Sequence, residues 1–173
     1  MEYTKNVIVP AIYKKTDVVS VSSIYNHIDY VFYINLDRRT DRRDHIESTF
    51  RRYGIDKYER FSAIPDDFGI VGCTKSHQAV FKLAKERGYK NVLIFEDDFE
   101  FLVTPEEFQE TVRQIFLGGS GPGDVCMFSY NVNQMEETDN PYKIRILEAS
   151  TASCYVVMGH YYDRLIEIGR AHV

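Results

Sequence analysis

Residues 30–54, YVFYINLDRRTDRRDHIESTFRRYG, decide the fold. The first six are a short β-rich apolar run, and the charged stretch behind them carries apolar residues at helical spacing, so a strand leads directly into a helix. Ile46, Phe50 and Tyr53 form the inward stripe of that helix. Thr40 is its predicted N-cap, with Asp41 and Asp44 in the first turn and Gly54 just past the end. Four residues before Ile46 the stripe reaches Arg42, which sets its guanidinium on the core side of the helix start, near the carboxyl end of the strand.

The next segment repeats the unit. ERFSAI (59–64) predicts a strand, GIVGC (69–73) a turn, and Thr74 the cap of a helix whose stripe Val80, Leu83, Ala84 and Arg87 ends at Gly88. Ser76 and His77 then fall on the inner face of the first helical turn. NVLIF (91–95) is apolar without alternation, as a strand covered on both faces must be, and it runs into Glu96, Asp97 and Asp98. Thr104 and Glu107 make a capping box with Pro105 at the first helical position, and Phe108, Val112, Ile115 and Phe116 carry that helix to the breaker GGSGPG (118–123). DVCMF (124–128) predicts a strand, SYNVNQMEETDNPY (129–142) a polar loop, KIRIL (143–147) and SCYVVM (153–158) two more strands, and YYDRLIEIG (161–169) a closing helix. Strand and helix alternate through two thirds of the chain, which predicts an α/β domain with a mostly parallel central sheet flanked by helices. Residues 1–28 hold neither period and read as an N-terminal arm or extra edge strand, with residues 29–173 as the main domain.

The composition bounds the function. With 173 residues, 44% of them apolar and 27% charged, the chain can build a core without disulfides or a structural metal. A net charge of −5 argues against broad capture of nucleic acid or an anionic membrane, so any phosphate binding must be local. No apolar run approaches the ~18 residues of a membrane span, and the first thirty residues lack a basic stretch followed by an apolar core, which gives a cytoplasmic expectation. Cys73, Cys126 and Cys154 form no CxxC pair and show no His at zinc-site spacing; they read as three buried thiols in a reducing compartment.

Ligands of open α/β sheets bind outside the carboxyl ends of the strands. Three segments bring polar groups there: Asn35, Arg38 and Arg42 after the first strand, Ser76 and His77 at a helix start, and Glu96, Asp97 and Asp98 after the third strand. An acidic triplet alone is an ordinary solvated loop. Beside arginines and helix N-termini it suits a phosphate-bearing ligand held with a hard cation, which takes carboxylate, water and phosphate oxygens together.

The blocks INLDRR, GCTKSH and IFEDD, in this order, together with YERFSAI and the later TASCYVVMGHYYDRLIEIG, resemble the glycosyltransferase family 25 domain over about residues 30 to 169. The resemblance implies a GT-A-like nucleotide-binding fold and a hexosyltransferase that moves galactose from UDP-galactose to a glycan or protein hydroxyl, inverting and dependent on Mn²⁺ or Mg²⁺. It puts Glu96, Asp97 and Asp98 in the place of the DXD-like motif, with Glu96 and Asp98 as the metal set. Asp97, Asp98 and His77 become the catalytic group, and Asn35, Leu36, Arg38, Arg42, Ser76 and Glu96 the donor-binding group. Bacterial members act in lipopolysaccharide biosynthesis and eukaryotic ones in collagen glycosylation. Family members continue past the segment that ends here at Val173 into further acidic residues, so the general base is sought among Glu136, Glu137 and Asp163. The alternative is an inactive relative serving as a nucleotide-sugar-binding or protein-interaction module. A phosphohydrolase is disfavoured because no nucleophile with a supporting base is evident.

Overall fold

The structure, a computed structural model, describes residues 23–118 and 121–170. The N-terminal arm expected over residues 1–28 lies outside the described residues as far as position 22. Residues 23–28 hold one 3-10 turn, Ile24–Asn26, and bury Ile24 and Ile28. The regular elements are β1 (Tyr30–Asn35), α1 (Thr40–Arg52), β2 (Tyr58–Ser62), α2 (Gly69–Glu86), β3 (Asn91–Glu96), α3 (Pro105–Leu117), β4 (Val125–Glu137), β5 (Ile144–Met158) and α4 (Tyr162–Arg170).

The five strands form one sheet in the order β2-β1-β3-β5-β4. β1 is parallel to both β2 and β3, as two consecutive strand–helix–strand units require, while β5 runs antiparallel to β3 and β4. The result is an α/β fold with a mixed sheet, parallel around β1 and flanked by helices, compatible with a GT-A-like domain. Side chains alternate between the two faces of the sheet and both faces are covered. Val31, Tyr33, Leu93, Phe95, Cys154 and Val156 face one core with Ile46 and Phe50 of α1 and Phe108 and Val112 of α3. Phe32, Ile34, Val92, Ile94, Tyr155 and Val157 face a second core with Val80 and Ala84 of α2 and Tyr162 and Ile166 of α4. Gln78 Nε2 donates to the Ile166 carbonyl at 2.8 Å, tying α2 to α4.

Several expectations are corrected. α1 is capped by Arg39, not Thr40, and no side chain caps it; Asn35 Nδ2 donates to the Arg39 carbonyl instead, so the strand end holds the helix start. Only Asp41 of the two predicted acids sits in the first turn. α2 begins at Gly69, which turns GIVGC from a turn into helix and moves Thr74 inside it, where its hydroxyl donates to the Ile70 carbonyl. Asp66 accepts from the Phe68 amide and from Lys75, an Asx-type turn that starts the helix five residues before Thr74. The polar loop over 129–142 is largely strand, and 144–158 is one strand rather than two. Pairing of β4 with β5 supplies the backbone hydrogen bonds of this half-exposed hairpin without requiring apolar periodicity. One of its four register shifts, between Ser129 and Asn131, lies opposite Thr151, which adopts a φ of 76°. The capping box of α3 is present as predicted. Of the three cysteines only Cys154 is buried; Cys126 is half-buried and Cys73 exposed.

Candidate active site

β1 and β3 end side by side, with Ile34 opposite Glu96. Asn35, only 1% exposed, is the peg between them. Its Nδ2 donates to Asp97 Oδ2 at 2.7 Å as well as to the Arg39 carbonyl, and its Oδ1 accepts from Arg60 Nε at 2.9 Å. Arg42, in the first turn of α1, reaches back with Nη1 to Asp97 Oδ1 at 2.9 Å and Asp98 Oδ2 at 3.1 Å. Asp97 is therefore turned inward with both oxygens engaged, while the Asp98 side chain stays 51% exposed. Partial burial, then the neighbouring Glu96 charge, raise the Asp98 carboxyl above its ordinary range, and Arg42 partly offsets them. Behind the acids the chain is pinned by aromatic packing: Phe99 lies edge-on to Phe95 and Phe101, and Phe101 stacks on Tyr53.

The second wall comes from α2. Ser76, buried, donates from Oγ to the Gly72 carbonyl at 2.7 Å and accepts from the Ile64 amide at 2.8 Å, fastening the segment after β2 onto the helix. That segment passes so close that a Cβ on Gly72 would stand 2.6 Å from the Ile64 carbonyl oxygen. His77 Nε2 lies 3.2 Å from Glu96 Oε1, and its Nδ1 is hydrogen-bonded to the Tyr155 hydroxyl. Since a carboxylate only accepts, Nε2 carries a hydrogen toward Glu96, and in the neutral imidazole Nδ1 then accepts from Tyr155. Burial holds the Tyr155 hydroxyl protonated, its pKa raised well above the ordinary value. Cys73 Sγ stands 3.5 Å from the same Glu96 oxygen, and although the residue as a whole is exposed, partial desolvation of the sulfur and that charge push its thiol up to about 12.

Between the walls opens a cleft of about 320 Å³. Leu36, Arg38, Arg42, Ser76, His77, Glu96, Asp97 and Asp98 all line it, so eight of the nine predicted residues meet there; Asn35 lies beneath, holding the floor. Glu96 and Asp98 each engage one carboxylate oxygen in the bonds above, which leaves a second oxygen on each for a cation that completes its shell with water or phosphate. Carboxylate oxygens are the donors that hard cations such as Mg²⁺ and Mn²⁺ take. The three candidates for a general base do not join the cleft: Glu136 and Glu137 end the β4 strand, and Asp163 pairs with Lys85 at 2.6 Å. A larger cavity of about 670 Å³, between α3 and the β4–β5 hairpin, contains none of the predicted site residues.

Sequence reasoning missed Arg60, which braces Asn35, and Tyr155, which holds His77; both depend on cross-strand placement that no local pattern reveals. It also missed Cys73. There a signal existed, since Cys73 and His77 are four residues apart and share a helix face once α2 is started at Gly69.

No protein-family profile matches the chain. A protein of Acanthamoeba polyphaga mimivirus named as a putative glycosyltransferase is 33% identical over 107 residues, a match that takes in 49% of this chain and 32% of that protein. The chain spans about a third of the length of this curated relative. Among the described residues, no helix is long and apolar enough to cross a membrane.

Proposed function

We propose that the chain is a glycosyltransferase domain of the family 25 type, which binds a nucleotide sugar across the carboxyl ends of β1 and β3 and transfers its hexose to a hydroxyl of a glycan or protein. The similarity to the viral protein supports a glycosyltransferase in general. The observation that carries the reading is the meeting of Arg42 with Asp97 and Asp98 on the floor of a cleft at the strand ends.

Each residue has a part. Asn35 and Asp97 are positioning residues, locked to each other, to the start of α1 through Arg39 and Arg42, and to β2 through Arg60. Arg42, partly exposed, offers its remaining N–H groups to the donor diphosphate, with Arg38 at the rim. Ser76 is occupied by backbone and shapes the wall, so His77, with Cys73 one turn before it, is the α2 side chain that presents hydrogen-bonding groups to the donor. Glu96 and Asp98 hold Mn²⁺ or Mg²⁺, which supplies neutralisation of the charge that builds on the departing nucleoside diphosphate. We assign UDP-galactose as the donor and inversion as the outcome, on the resemblance described above.

Calorimetric titration with UDP and UDP-galactose, in Mn²⁺ and then in excess chelator, tests this. Binding of both ligands in Mn²⁺ and its loss in chelator is the expected result; no binding under either condition contradicts the assignment. Binding without transfer to any hydroxyl acceptor would leave the nucleotide-sugar-binding module in place of the enzyme.

A further inference from the structure

Cys73, His77 and Glu96 present Sγ, an imidazole nitrogen and a carboxylate oxygen within 4.8 Å of one another, the one such group of three among the described residues. The set mixes donor types in a way that the acidic triplet does not. Cys73 and His77 project from one face of α2 a turn apart, and Glu96 meets them from the end of β3. Hard cations take oxygen ligands, whereas a thiolate with an imidazole selects Zn²⁺ and the softer first-row metals. Metal-ligating histidines are oriented by a hydrogen bond on the other ring nitrogen, and Tyr155 supplies that bond to Nδ1 from β5. The three groups line one wall of an open cleft, which leaves the fourth tetrahedral position to water or to a ligand.

We propose that Cys73, His77 and Glu96 form a three-ligand site for a thiophilic divalent cation of the Zn²⁺ class; Glu96 faces it through Oε1 and is shared, through its other oxygen, with the hard-cation position at Asp98. The site shares the cleft with the proposed donor but does not rest on the glycosyltransferase reading. Binding replaces the thiol hydrogen of Cys73 by the metal and releases one proton to solvent. His77 moves its one hydrogen from Nε2 to Nδ1, with no net release, so that Nε2 ligates and Nδ1–H donates to the Tyr155 oxygen, whose own hydrogen rotates out of that line. Glu96 turns from accepting the two hydrogens to ligating.

The test is titration of the reduced full chain with Co²⁺ as a spectroscopic stand-in for Zn²⁺, without nucleotide. The expected result is a thiolate-to-cobalt charge-transfer band in the near ultraviolet that saturates at one equivalent and is bleached by Zn²⁺. Cys73→Ser abolishes the band and Cys126→Ser leaves it. Tyr155→Phe keeps the band but weakens Zn²⁺ binding roughly 10-fold, since it removes only the orienting hydrogen bond. No band at one equivalent, or a band that survives Cys73→Ser, overturns the proposal. Circular dichroism of each variant separates loss of the ligand from loss of the fold. Mn²⁺-dependent UDP binding, measured on the parent chain beside the cobalt titration, keeps the two readings apart: its absence sinks the donor site and leaves the cobalt band unaffected.

Discussion

One nitrogen of Arg42, Nη1, bridges Asp97 and Asp98, at 2.9 Å from the first and 3.1 Å from the second. The relationship ties the first turn of α1 to the end of β3 and sets the two acids to different tasks, one inward and one outward. Asp97 is 8% exposed, so loss of Arg42 leaves a nearly buried carboxylate dependent on Asn35 alone.

Arg42→Ala is therefore expected to cost stability beyond an ordinary surface change. Arg42 itself is partly exposed, so the cost is about 1 kcal/mol, well short of that for a fully buried pair. Urea unfolding measures it. A double-mutant cycle with Asp97→Asn should return most of the loss as coupling, and purely additive effects would show that the contact holds nothing.

Gly72→Ala probes the second wall. The added Cβ meets the Ile64 carbonyl oxygen at 2.6 Å, a backbone atom that cannot swing aside, and the Asp66 Cβ at 3.1 Å. The segment over residues 63–66 must lift from α2, at a cost of about 1–3 kcal/mol. Protease sensitivity confined to this segment, together with a lower urea midpoint, is the expected pattern; an unchanged midpoint contradicts the close approach.

Asp66 gives a pH signature at the cleft rim. Lys75, then the Phe68 amide, hold its carboxyl below the ordinary value of 3.8. A depressed folded-state pKa stabilises the fold at pH above the unfolded value, and that contribution disappears as pH falls below 3.8 through the folded-state value. Asp66→Asn should therefore be less stable than the parent at pH 6 and converge on it in acid. A difference that grows as pH falls would reverse the assignment.

The elements were legible where burial imposes a period. YVFYIN and NVLIF are apolar throughout because both faces of β1 and β3 are covered, and the stripe of α1 pointed Arg42 at the strand end, where it lies. The start of α2 was not legible, because Asp66, Phe68 and Lys75 initiate it by contacts that leave no hydrophobic stripe. That single boundary hid Cys73 from the site. The β4–β5 hairpin escaped for a related reason: residues 131–137 are mostly polar and exposed, and mutual pairing rather than a buried face makes them strand. Which residues converge on the cleft was readable from the strand-end rule, whereas which acid turns inward depends on Asn35 and Arg42 acting across 62 and 55 residues of sequence.

Asp98 is the most direct test of the central claim. Its raised carboxyl pKa marks a charge that the fold tolerates rather than uses, so Asp98→Asn should fold at least as stably as the parent at neutral pH. The decisive measurement is the calorimetric affinity of Asp98→Asn for UDP in Mn²⁺ against that of the parent chain. A folded variant whose Mn²⁺-dependent UDP binding is lost agrees with a donor site built on the β3 acids; a folded variant that binds UDP with the parent's metal-dependent affinity contradicts it.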